Sequence, residues 1–229
     1  MMIQGNQTIS DILFQRPCFL HVLERFGFGI RADQTVDRIC EDSGIHHDLV
    51  LTIANLYCTQ LSLEFNYEIF NKRDLEAVLT YLKNSHIYFL EEKLPRLTQM
   101  MNDKIKSTPD ENYALLIKKF LDDYFSEVLE HIGYENNIVF PYVVSLIHEN
   151  EQSTGYLIEK FKAHHTDIEM KLEDLKNLLI RHMPQDYDFT LRRRMLFELF
   201  DLEHDIAVHD FIENHLLIPL VEKLENRNE

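Results

Sequence analysis

Apolar residues recur every three or four positions along four stretches, roughly 74–106, 110–149, 154–182 and 188–226, with few strand-like alternations. The spacing predicts four long helices. Only STP, NEQST and HMPQDY separate them, and connections that short imply antiparallel neighbours, so the pattern reads as an all-α, up-down four-helix bundle over 69–229. Pro95, Pro141 and Pro219 fall inside three of the helices, where a missing N–H and a ring clash with the preceding turn predict a kink or a local break.

The first 68 residues are patterned differently. Four of the six glycines (Gly5, Gly27, Gly29, Gly44) precede residue 45. Short helices are expected in TISDILFQR behind a Thr or Ser cap, in PCFLHVLERF with Pro17 in its first turn, in QTVDRICED and in HHDLVLTIANLYCTQL. This predicts a small helical domain over 1–68, with 65–73 as the link to the bundle.

Composition narrows the function classes. The 229 residues are 45% hydrophobic, enough for a substantial core, and the formal charge of −16 repels phosphate backbones. The basic cluster Arg192 to Arg194 is isolated, and HHDLVLTIANLYCTQL, which superficially suggests a helix-turn-helix, contains no Lys or Arg. Nucleic acid is therefore not expected as a partner. Nor is a membrane, because no run approaches about 18 apolar residues and MMIQGNQTISD lacks a signal peptide's basic start and apolar core; a cytoplasmic location is expected. Cys18, Cys40 and Cys58 form neither an even framework nor a CxxC pair, and are expected to be small buried residues.

The candidate chemistry lies in a repeated unit. HIGYENNIVFP (131–141) and HDFIENHLLIP (209–219) share His-x-x-x-Glu-Asn ahead of an apolar run and Pro. Residues four apart share a helix face, so His131 with Glu135, and His209 with Glu213, each aim a nitrogen and a carboxylate at one point. Counting outward from the connections puts His86, His131, His165 and His209 within about one turn of a common level, at about 1.5 Å per residue. Both glutamates sit among apolar residues, where a bare carboxylate is costly unless paired or metal-bound.

Four histidines and two glutamates form a nitrogen and oxygen set suited to iron, manganese or zinc, and six side chains suit two metals better than one. A bundle with two surface His–Glu pairs and no metal is the plainer alternative. His164 and His204 compete as ligands; His21, His46, His47, His148, His182 and His215 are expected at the surface or behind the ligands. Tyr134 and Glu203 are the sequence-local candidates for holding unligated ring nitrogens.

With these residues in place, the bundle resembles the hemerythrin-like (HHE cation-binding) domain over about 74–225. VLERFGFGIRADQTVDRICEDSGI resembles the small helical domain that precedes it in the repair-of-iron-centres proteins. The resemblance implies a non-haem di-iron centre with an oxo or hydroxo bridge. His86, His131, His165 and His209 are then terminal ligands, and Glu135 and Glu213 bridging carboxylates. It also implies O2 or NO as small ligands, apo iron–sulfur proteins as partners, and roles in iron–sulfur cluster repair and nitrosative and oxidative stress. His86 lies one residue off the expected spacing to its Leu-Pro, which a bulged turn would absorb. The Cys-Cys-Gly-Gly element of that family is missing after FGFG, which leaves open a non-catalytic O2 or NO sensor, or an iron-storage or interaction module, on the same site.

Overall fold

The computed structural model describes residues 2–59, 69–105, 111–148, 158–164, 168–182 and 189–228. These residues are helical throughout apart from connections and one isolated bridge between Thr8 and Thr35. The four short N-terminal helices form as expected: α1 Ile9–Gln15, α2 Phe19–Arg25, α3 Val36–Ser43 and α4 His47–Thr59. The long segments carry α5 Lys72–Tyr88, α6 Leu94–Ile105, α7 Glu111–Tyr134, α8 Phe140–Ile147, α9 Ile158–His164, α10 Ile168–Arg181, α11 Phe189–Ile212 and α12 Ile218–Asn228.

Among the described residues, three five-residue π-helical segments interrupt the long helices: Phe89–Lys93, Glu135–Val139 and Glu213–Leu217. Each ends two residues before a proline, and the helix resumes across Leu94-Pro95, Phe140-Pro141 and Ile218-Pro219. A proline cannot bond the carbonyl four residues back, and widening that turn by one residue removes the conflict. Leu94 N–H donates to Phe89 O and Ile218 N–H to Glu213 O, five residues back in both cases. The expected breaks are thus replaced by bulges.

The chain groups into two compact units. The first comprises Met1–Ser85, Val139–Ile158 and Val208–Glu229, the second His86–Ile138 and Glu159–Ala207. Residues 60–68, which include the first four of the expected link 65–73, lie outside the described residues.

In the first unit, Thr8 and Thr35 cap α1 and α3, their hydroxyls accepting from Asp11 N–H and Arg38 N–H at 3.2 Å. Gly44 ends α3 with φ 69°, a left-handed conformation that a side chain would strain. Asn55 on α4 holds the N-terminal segment: its amide accepts from Ile3 N–H at 2.7 Å and donates to Ile3 O at 3.0 Å. Asp74, fully buried, accepts from Asn71 N–H at 2.9 Å and from His46 N–H at 2.7 Å, fastening the approach to α4 onto the start of α5. Asp74→Ala strands both donors and is expected to lower unfolding free energy by about 2–3 kcal/mol in urea titrations, with Asp74→Asn losing less.

The second unit has a core of Leu97 from α6, Ile117, Leu121, Tyr124 and Val128 from α7, Leu172, Leu175 and Leu179 from α10, and Leu191, Met195, Leu199 and Leu202 from α11. Spacings of three and four put each set on one helix face, and each such side chain contributes about 1.5–3 kcal/mol by leaving water. Lys93 is buried beside this core and pairs with Asp201 and with Glu198 at 3.4 Å. Burial is the largest single influence and opposes its charge, but the hydrogen bond it donates to Asp201 and the charges of Asp201, Tyr88 and Glu198 together outweigh that, and its pKa is raised.

Candidate metal centre

Within the second unit, His86 lies in the last turn of α5, His131 in the last turn of α7, and Glu135 opens the π segment that follows. The Glu135 carboxylate faces both histidines. His86 Nε2 stands 3.0 Å from one oxygen and His131 Nε2 3.0 Å from the other. Exposure is 2% for the His86 side chain, 10% for His131 and 0% for Glu135. An imidazole lone pair and a carboxylate oxygen at that distance repel unless a cation, a proton or a metal ion, lies between them. The donor set fits a bound metal on this ground: one carboxylate, a different histidine on each oxygen, and little water to compete.

His86 is held from its other side too. Its Nδ1 is 3.0 Å from the side-chain oxygen of Asn136, the first residue after Glu135. A ring Nδ1–H donating there leaves Nε2 as the ligating nitrogen, the tautomer a metal needs. Asn136, which the sequence reading passed over, therefore does for His86 what Tyr134 or Glu203 were expected to do. Glu203 instead pairs with Lys176. Asn136→Ala is expected to weaken metal affinity about 10–100-fold in chelator competition.

The first unit carries the other pair. His209 lies in the last turn of α11 and Glu213 opens the third π segment, with His209 Nδ1 3.4 Å from Glu213 Oε2 and side-chain exposures of 8% and 0%. Both glutamates of the repeated unit thus begin a π segment, where the bulged turn alters the rotation of the residues that follow.

The Hemerythrin HHE cation binding domain matches residues 77–221, a span that holds both pairs. The chain belongs to this family. Its all-α bundle is the fold expected from the apolar spacing, and its hemerythrin-like kind is the one the resemblance implied. The iron-sulfur cluster repair protein ScdA of Staphylococcus haemolyticus (strain JCSC1435) is 22% identical over 220 residues, covering 94% of this chain and 98% of that protein.

Other expected residues of this hemerythrin-like chain are placed as follows. His165, and the side chain of its neighbour His164, lie outside the described residues. His204 is half-buried on α11, and His148, His182 and His215 are exposed, His215 stacked on Phe211 with ring centres 4.1 Å apart. His46 and His47, expected at the surface or behind the ligands, form with Asp48 a partly exposed group able to hold a cation, with His47 also 3.3 Å from Asp37. No described helix is long and apolar enough to cross a membrane.

Proposed function

We propose that the two His–Glu pairs close on one non-haem di-iron centre. His86, His131, His165 and His209 are its terminal ligands, and Glu135 and Glu213 its bridging carboxylates. The observation that carries this reading is Glu135, fully buried, with each carboxylate oxygen facing a different histidine at 3.0 Å. The repeated unit, whose second copy supplies His209 and an equally buried Glu213, supports the other half. Manganese and zinc suit the same donors and are alternative outcomes of metal analysis.

Iron held there would supply one-electron chemistry and could bind O2 or NO. The chain's own residues prepare the place. Asn136 orients His86, and the buried Ile132, next to His131 in the chain, helps keep water away. The relation to ScdA supports a role in iron–sulfur cluster repair; apo iron–sulfur proteins as partners, and a part in nitrosative and oxidative stress, are our extension of that reading. We assign the protein to the cytoplasm, with 1–68 as a helical module preceding the 69–229 bundle. Protein purified without oxygen is expected to hold about two iron ions per chain, and His131→Ala with Glu213→Ala to hold about none. Unchanged iron in the double variant rules the assignment out.

The absence of Cys-Cys-Gly-Gly after FGFG favours a second reading, an O2 or NO sensor on the same centre. Iron delivery to an apo iron–sulfur protein at stoichiometric ratio separates the two: delivery supports repair, and stable ligand binding without delivery supports sensing.

A further inference from the structure

Two of the three cysteines do not behave as the small buried residues expected from the sequence. Cys40 does: it is 2% exposed, and burial, aided by the charges of Asp37 and Asp74, pushes its thiol up to about 12. Cys18 and Cys58 are both partly exposed, and the Cys58 thiol donates a hydrogen bond to the Cys18 sulfur. Forty positions apart in sequence, they meet because α2 lies along α4.

Independent contacts fix that alignment on both sides of the pair. Before it, Arg16 Nη1 donates to Cys58 O at 3.1 Å. After it, the His21 ring lies 5.9 Å from Tyr57, and the Arg25 guanidinium 5.1 Å over the same Tyr57 ring. Sulfurs already in hydrogen-bond range need little backbone motion to reach the disulfide distance of about 2 Å.

We propose that Cys18 and Cys58 form a dithiol site that exchanges with small-molecule disulfides, Cys18 attacking and Cys58 resolving. The Cys18 thiolate attacks one sulfur of R–S–S–R, forms a Cys18–S–S–R bond and expels one thiolate, which takes up a proton. Cys58 then gives up its proton and attacks the Cys18 sulfur, expelling the second thiolate, which takes that proton. The protein loses two electrons and two protons as the Cys18–Cys58 disulfide forms, and R–S–S–R becomes two R–SH.

The division of roles follows from the environment. The hydrogen bond from Cys58 draws Cys18 down to about 7, against burial and with help from the Arg16 charge. Cys58, whose proton that bond holds, is pushed up by it and by burial. The thiol with the lower pKa attacks, and its partner waits until Cys18 is no longer an anion.

The test uses the full chain and oxidised glutathione. Titratable thiols are expected to fall from three to about one, with a peptide linking Cys18 to Cys58 in mass spectra. Cys58→Ser is expected to stop at a glutathione adduct on Cys18, and Cys18→Ser to form no linked peptide. If a variant misfolds, alkylation of the wild-type chain decides: Cys18 should react half-maximally near pH 7 and Cys40 hardly at all. Three surviving thiols, a wild-type adduct that Cys58 never resolves, a link through Cys40, or Cys18 alkylation with the pH profile of an ordinary thiol would each overturn the proposal.

Discussion

Glu135→Gln is expected to reduce bound metal from about two ions per chain to about none while leaving the far-UV circular dichroism spectrum unchanged. The substitution keeps the size and planarity of the side chain and removes its charge. In the native chain the carboxylate meets His86 Nε2 and His131 Nε2 at 3.0 Å, one on each oxygen, at a fully buried position. A neutral amide presents a single acceptor oxygen, and its NH2 group repels any cation placed against the second histidine. If the two proposed metal positions share this carboxylate, both should empty together. Elemental analysis of protein purified without oxygen checks the prediction. Loss of one ion with retention of the other would mean that Glu135 serves a single metal and does not bridge.

Removing the metal from the native protein is expected to have the second large effect, on stability. A ligand that binds only the folded chain stabilises it in proportion to the logarithm of its saturation, about 4 kcal/mol at a thousandfold excess over Kd. For a chain of this length each kcal/mol moves the melting midpoint by about 2–4 °C, so chelation should lower Tm by on the order of 10 °C. Calorimetry with and without a strong chelator measures this. Glu135→Gln should melt at one temperature in both conditions. Asp74→Ala should melt low but keep its chelator shift, because Asp74 bonds the backbone of Asn71 and His46 and touches no proposed ligand. A chelator-insensitive wild type would leave the His–Glu pairs as ordinary buried ion pairs.

Much of the fold is legible from local pattern. The caps at Thr8 and Thr35 and the start of α2 just past Pro17 follow from residues within one turn of the feature they determine. The prolines were legible only in part. Pro95, Pro141 and Pro219 announce a conflict in the helix, but apolar spacing does not say whether a break, a kink or a π segment resolves it. Here the wider turn does, and in two of the three cases it starts at the glutamate of the repeated unit. The third segment, Phe89–Lys93, is the bulge that the irregular spacing of His86 to its Leu-Pro called for.

Identity within the repeat was a poorer guide to the role of each residue. Asn136 and Asn214 occupy equivalent positions, yet Asn136 meets His86 Nδ1 at 3.0 Å while Asn214 donates to the carbonyl of Asp210 at 3.1 Å within its own helix. The two pairs also present different nitrogens, Nε2 of His131 and Nδ1 of His209. The cysteines teach the same lesson from the other end of the chain, since nothing in their spacing joins Cys18 to Cys58.

Which segments are helical, and which histidine shares a helix face with which glutamate, follow from local residue order, because i,i+4 geometry is a property of one helix and needs no partner. Tertiary structure alone decided that His86 meets Glu135 and Asn136, that Asp74 reaches His46, and that two distant thiols share a hydrogen bond. Those contacts depend on how one helix is rotated and shifted against another, and that is set by how side chains from both interlock, which periodicity along either strand of sequence does not encode.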